Sequence, residues 1–151
     1  MKNINFLTKS ALIATFYVCL TLLFSPISFG VMQLRISEAL CILAFFFPEA
    51  IIGLFVGCLV SNFFAGLGLL DIILGSMATL LSSYLSYKTN NIFLASFYIT
   101  IINAILVGCS LAYIAGLPLW LGFISIFASE AIATVCLGVP LSKFLHLAKK
   151  K

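Results

Sequence analysis

Apolar residues run along this chain almost without interruption, and the breaks between the runs organise it. A run over about 7–27 stops near Pro26 and Gly30, a shorter one over about 34–47 stops at Pro48, and a third over about 49–65 ends in the glycine turn "GLGLLD". A fourth over about 70–87 ends at "YKTNN", a fifth over about 92–114 is turned by "AGLP", and a sixth over about 118–139 stops at Gly138 and Pro140. The runs show no sustained two-residue alternation and no ten-residue rhythm of a membrane barrel, so they predict six helices rather than strands. Most approach the roughly 20 residues needed to cross the hydrocarbon of a bilayer.

Composition turns six helices into a membrane bundle. Of 151 residues 64% are hydrophobic and 8% charged, against roughly 25% charged in a soluble domain. The expected fold is all-α and integral to the membrane: one transmembrane domain, 1–151, of six spanning helices. Lys2 and Lys9 precede the first apolar run as in a signal peptide, but no small-x-small site closes it and further runs follow, so it reads as the first spanning helix. With the N-terminus inside, Lys2, Lys9, Lys88, Lys143, Lys149, Lys150 and Lys151 are cytoplasmic and only Arg35 is outside, and six crossings return the C-terminus to the cytoplasm. The tail over 140–151 reads as a basic, amphipathic surface segment. The net charge of +4 is then a topology signal and a lipid contact. The lysines form no stripe with interleaved aromatics, which argues against nucleic acid.

Against that background the polar residues stand out. Arg35 and Glu38 enter the second helix from the outer side, and an i, i+3 pair there can simply neutralise itself. Gln33, Asn62 and Asp71 fall at the same outer depth, and a one-sided cluster of this kind implies a pocket. Glu130 lies about twelve residues into the sixth helix, roughly 18 Å down at 1.5 Å per residue, with Asn103 at a comparable depth on the fifth. An intramembrane carboxyl must face the bundle, pair or be protonated. Asn103, Ser129, Thr134, water or a ligand are its available partners. Glu49, after Pro48 at a helix start, reads as a cap or a contact for a cytoplasmic partner.

Small residues recur every four positions: Gly53, Gly57, Ser61 and Ala65; Gly75, Thr79 and Ser83; Ala104, Gly108, Ala112 and Gly116. Such faces let helices approach closely. Ser10 with Ala14, and Ala11 with Thr15, serve either internal packing or a second membrane protein. Cys19, Cys41, Cys58, Cys109 and Cys136 are scattered through apolar runs without C-x-x-C spacing and read as small core residues. His146 has no acidic or cysteine neighbour on its face and reads as a tail surface residue. No phosphate loop, H-E-x-x-H or nucleophile-base pair appears, so neither an enzyme nor a bound cofactor is expected.

"SPISFG", then "QLRISEAL", then the stretch from "FFFPEAIIG" through "GSMATLLSSYLSY" closely resemble the QueT family, most densely from Phe29 to Tyr84. The resemblance implies a substrate-capture (S) component of an energy-coupling factor (ECF) transporter in the bacterial plasma membrane. Such a component imports queuosine precursors through a site that opens outward. It also implies partners: a membrane coupling subunit packed on helix 1 through Ser10, Ala11, Ala14 and Thr15, and two ABC ATPases. A 7-deazaguanine such as preQ0 or preQ1 offers adjacent donors to a carboxylate and a carbonyl to an Arg, Gln or Asn. Glu38, Asp71 or Glu130 would accept and Arg35, Gln33 or Asn62 donate, with Phe63 or Trp120 stacking, although Trp120 fits an interfacial anchor equally. Rival readings are an S component for another metabolite, a proton- or cation-coupled carrier using Glu130, and a structural membrane subunit.

Overall fold

The computed structural model describes residues 2–29, 33–66 and 68–149, with side chains from Ile4 to Leu145 within those ranges. Gly30, Lys150, Lys151 and the side chains of Lys2, His146 and Lys149 lie outside the described residues. The chain forms α1 (Lys2–Leu23), α2 (Ser25–Ser28), a 3-10 helix (Ile36–Phe45), α3 (Pro48–Ala65), α4 (Leu69–Lys88), α5 (Ile92–Ala115), α6 (Leu119–Ala131), a π segment (Ile132–Gly138) and α7 (Val139–Lys149). Among the described residues, five stretches are long and apolar enough to cross a membrane: Ile4–Leu23, Pro48–Ala65, Leu69–Lys88, Ile92–Ala115 and Leu119–Leu145. Ile36–Phe45 is shorter. This is a multi-pass membrane protein, with five long spans where six were expected.

Side-chain contacts fix the direction of each limb. Lys9 Nζ lies 3.1 Å from Glu49 Oε1, and Ser10 Oγ donates to the Glu49 carbonyl at 2.8 Å. Further along, Gly57 packs on Ala14 and Tyr17, so α1 and α3 run parallel. Between them the 3-10 helix runs back, with Ser37 at 2.7 Å from Thr21 and Glu38 bonded to Tyr17. The later helices alternate: Asn62 meets Asp71, Ser86 meets Ala95, and Thr100 meets Thr134. Tyr17, Cys41, Ile42, Leu54, Cys58 and Ile99 form the main apolar core. Leu7, Phe16, Leu23, Phe63 and Tyr113 face outward, where lipid rather than water would meet them.

Local chemistry accounts for the elements. Asn91 caps α5 by accepting from the Phe93 amide at 2.9 Å. At the other end Gly116 takes φ 63, and Leu117 N–H bonds to the Ala112 carbonyl, a Schellman closure that glycine alone adopts without strain. The expected first helix to residue 27 instead breaks at Phe24, because the ring of Pro26 cannot sit inside a continuing helix.

Two departures are larger. The second expected helix is 3-10, ten residues that rise about 20 Å where an α-helix would rise about 15 Å. Three residues per turn puts Leu40, Leu43 and Phe46 on one partly exposed row and Glu38, Cys41 and Ala44 on a buried one. The sixth helix does not stop at Gly138 and Pro140 but continues through the π segment into α7, so the expected surface tail is helical. Gly122, Ile126, Glu130, Thr134, Gly138 and Ser142 are buried at a strict four-residue spacing. In an α-helix such a stripe drifts about 40° every four residues and would leave the core. The wider π turn winds it back, and does so just before Pro140, whose ring would strike the Cys136 carbonyl in an α-helix.

The glycine faces act inside the bundle. A Cβ at Gly122 would overlap the Gly108 carbonyl and lie 2.8 Å from Ala112 Cβ. Gly122→Val should therefore separate α5 from α6 and destabilise the fold by about 1–3 kcal/mol. A lowered thermal midpoint in detergent, against an unchanged midpoint for exposed Phe127→Leu, would register it.

Candidate functional site

Three of the four acidic residues and the only arginine come together inside the bundle. Arg35 (4% exposed), Glu38 (1%), Asp71 (0%) and Glu130 (5%) arrive from the segment before the 3-10 helix, that helix itself, the first turn of α4 and the end of α6. Ions so placed are tolerated only when held on several sides. Arg35 Nη2 donates to Gln33 Oε1 at 3.1 Å and pairs with Asp71 Oδ2 at 3.5 Å, while Nη1 lies 4.0 Å from Cys58 Sγ. Asp71 Oδ1 accepts from Ser110 at 3.2 Å. Asn62 Nδ2 donates to the Asp71 carbonyl at 3.2 Å and sits over Gly75, where a side chain would expel it.

Gln33 carries a left-handed backbone, φ 42, at the entrance to this group. Such a conformation costs a non-glycine residue roughly 1–2 kcal/mol. Here it accompanies a Gln33 side-chain amide oxygen, Oε1, that accepts from Arg35.

The self-neutralising Arg35–Glu38 pair that the spacing allowed does not form, and two separate sets of bonds take its place. Arg35 precedes the 3-10 helix in extended conformation and turns to Asp71. Glu38 instead receives the Tyr17 hydroxyl on Oε1 and the Cys41 thiol on Oε2 at 2.9 Å, the i+3 residue that a 3-10 turn eclipses. Glu130 is buried near the end of α6. Its Oε2 has no hydrogen-bond partner among the described residues, nor have Arg35 Nε, Asn62 Oδ1 and Ser61 Oγ.

None of the three side chains expected to satisfy Glu130 bonds to its carboxyl. Asn103 donates to the Ile99 carbonyl, Ser129 to the Ile126 carbonyl, and Thr134 to the backbone oxygen of Glu130. All three turn back onto their own helix, which leaves Asn103 buried but not joined to the cluster by a hydrogen bond. Phe63 (69% exposed) and Trp120 (64%) face outward, away from the buried group, so the stacking role does not fit them. Glu49 pairs with Lys9 at the opposite end of α1 and α3.

Helix 1 divides its small residues. Ser10 is buried against α3, Ala11 and Thr15 are exposed, and Ala14 lies between, beside grooves of about 170 and 270 Å³ along α3. Cys41 and Cys58 are buried as expected; Cys19, Cys109 and Cys136 are exposed. Tyr17, Cys41, Cys58 and Ser110 complete the polar cluster and were not anticipated as part of it. Their signal was faint: one hydroxylated aromatic in mid-span, and thiols and a serine that read equally well as small packing residues.

The model of the QueT transporter family matches residues 7–147. The chain belongs to the QueT transporter family. Among curated proteins, the Queuosine precursor transporter QueT of Lactococcus lactis subsp. cremoris (strain MG1363) is 42% identical over 72 residues, covering 46% of this chain and 42% of that relative. The matched stretch thus spans less than half of either protein. No solved structure matches the chain. Three carboxyls and one guanidinium buried from well-separated segments give the bundle a polar interior that packing alone does not need.

Breaking the buried pair should be costly. Arg35→Ala strands Asp71 in the bundle and is expected to destabilise by about 3–5 kcal/mol, whereas Arg35→Met with Asp71→Leu removes both charges and should recover most of that loss. Thermal midpoints of the single and double variants in detergent would separate these outcomes.

Proposed function

We propose that this chain is the membrane-embedded substrate-binding (S) component of an ECF transporter in the bacterial plasma membrane, and that it captures a queuosine precursor. The observation that carries the reading is the buried Glu130 oxygen without a hydrogen-bond partner, in a bundle that also buries Arg35, Glu38 and Asp71, taken with membership of the family. A deazaguanine meets that arrangement well. Its ring N–H and amino donors suit Glu130 Oε2 and Asn62 Oδ1, and its carbonyl suits Arg35 Nε. Asp71, Gln33, Glu38 and Asn103 support the site by holding charges, backbone or helix around it. Three carboxyls against one guanidinium favour a cationic cargo, so the aminomethyl group of preQ1 is a better complement than the nitrile of preQ0.

Six crossings with both termini cytoplasmic follow if the 3-10 helix serves as the second limb. About 20 Å of 3-10 helix, lengthened by the non-helical residues that flank it, approaches the roughly 30 Å of hydrocarbon. The face of α1 carrying Ala11, Ala14 and Thr15 would take the coupling subunit, with ATP hydrolysis left to partner ATPases. Uptake would then need the partners, while binding would not.

Calorimetry on the purified chain should show saturable binding of preQ1, weaker binding of preQ0, and none of thiamine. Glu130→Gln should weaken preQ1 binding at least tenfold, about 1.4 kcal/mol. A folded sample that binds no deazaguanine would sink the cargo assignment. Ion-gradient-driven uptake by this chain alone in liposomes would instead favour a carrier that titrates Glu130. On the partner side, Ala11→Leu with Thr15→Leu should abolish co-purification with the coupling subunit and leave preQ1 affinity unchanged.

A further inference from the structure

We infer that Tyr17 is a positioning residue that fixes the Glu38 carboxyl at the edge of the ligand site and ties it to α1; the inference rests on the capture reading above. Helix α1 is the least buried of the spans, with 17% of its span inside the bundle against 39–44% for the others. Yet Tyr17, in the middle of α1, is fully buried. Packing alone does not call for a phenol there, since a phenyl ring fills the same space and a desolvated hydroxyl is costly unless bonded. The hydroxyl donates to Glu38 Oε1.

Among the described residues, the other two buried polar side chains of α1 bond elsewhere. Ser10 goes to the Glu49 carbonyl, and Thr21 to Ser37 and to the Tyr17 carbonyl. Among the described residues, only Tyr17 carries a side-chain hydrogen bond from α1 to a carboxyl of the cluster. Its ring is fixed from behind: a Cβ at Gly57 would lie 2.9 Å from Tyr17 Cβ and 3.1 Å from Cγ. With Cys41 on its other oxygen, Glu38 is oriented from both sides. A displacement of α1 along the 3-10 helix therefore moves Glu38 relative to Glu130 and Arg35. The groove over Ala14, Thr15 and Gly57 lies on the same helix turns, so α1 joins an outward face to the carboxyl by one side chain.

The test compares Tyr17→Phe with Thr21→Val, each of which removes one buried bond between α1 and the 3-10 helix, only the first touching a carboxyl. Tyr17→Phe is expected to weaken preQ1 binding about tenfold with a thermal midpoint within a few degrees of wild type, Thr21→Val to leave affinity unchanged, and Tyr17→Phe to add nothing in a Glu38→Gln background. Equal affinity losses in Tyr17→Phe and Thr21→Val would overturn the positioning role, as would full affinity in Tyr17→Phe. Infrared difference spectra between wild type and Tyr17→Phe provide a readout free of ligand: a carboxyl band that disappears in the Glu38→Gln background supports the inference, and its absence overturns it. If Tyr17→Phe does not fold, 3-fluorotyrosine labelling perturbs the same bond and should shift the same band. A wild-type chain that binds no deazaguanine but shows the band would retire the cargo and keep the Tyr17–Glu38 link.

Discussion

A guanidinium taken out of water and set among apolar helices costs several kcal/mol even after its surroundings relax, and Arg35 lies in that position. What compensates for it comes from well-separated parts of the chain: Gln33 beside it, Asp71 from α4, and through Asp71 the hydroxyl of Ser110 on α5. Asn62 fixes the backbone of Asp71 from α3, and Gly75 makes room for Asn62. Helices α3, α4 and α5 are thus registered against one another by polar contacts that all lead back to one charge. In lipid, where the hydrophobic effect does little to hold one helix against another, such contacts and close small-residue packing are what remain.

The same demand explains why two limbs leave α geometry. A 3-10 turn aligns Glu38 with Cys41 and keeps a three-residue polar and small row facing inward, at the expense of poorer backbone hydrogen bonds. A π segment lets the four-residue stripe from Gly122 to Ser142 keep its aim past Glu130. The two irregular segments touch, Gly138 lying against the Ala39 carbonyl and Ile42. Irregular helix is concentrated where the carboxyls sit.

Much of this was legible in the chain. The all-helical class and the order of the long apolar segments followed from apolar runs and Pro/Gly breaks, and Arg35, Glu38, Asp71 and Glu130 stood out because ionised groups are so rare here. The pairings were not legible. An i, i+3 spacing predicts Arg35–Glu38 contact only if both residues are helical, and Arg35 is extended. Pro140 reads as a stop only in α geometry. Asn103, Ser129 and Thr134 bonded to their own helices because a backbone carbonyl one turn back is always within reach, which no depth argument can weigh. Tyr17 looked like any aromatic in an apolar run.

The Arg35–Asp71 pair also has a time order. These residues are 36 positions apart, and Ser110 follows Asp71 by another 39. At about 5–20 residues per second, Asp71 leaves the ribosome roughly two to seven seconds after Arg35. During that interval the guanidinium lacks the carboxylate with which it pairs in the folded bundle. The polar contacts that register α3, α4 and α5 are therefore completed only once all three helices have been made.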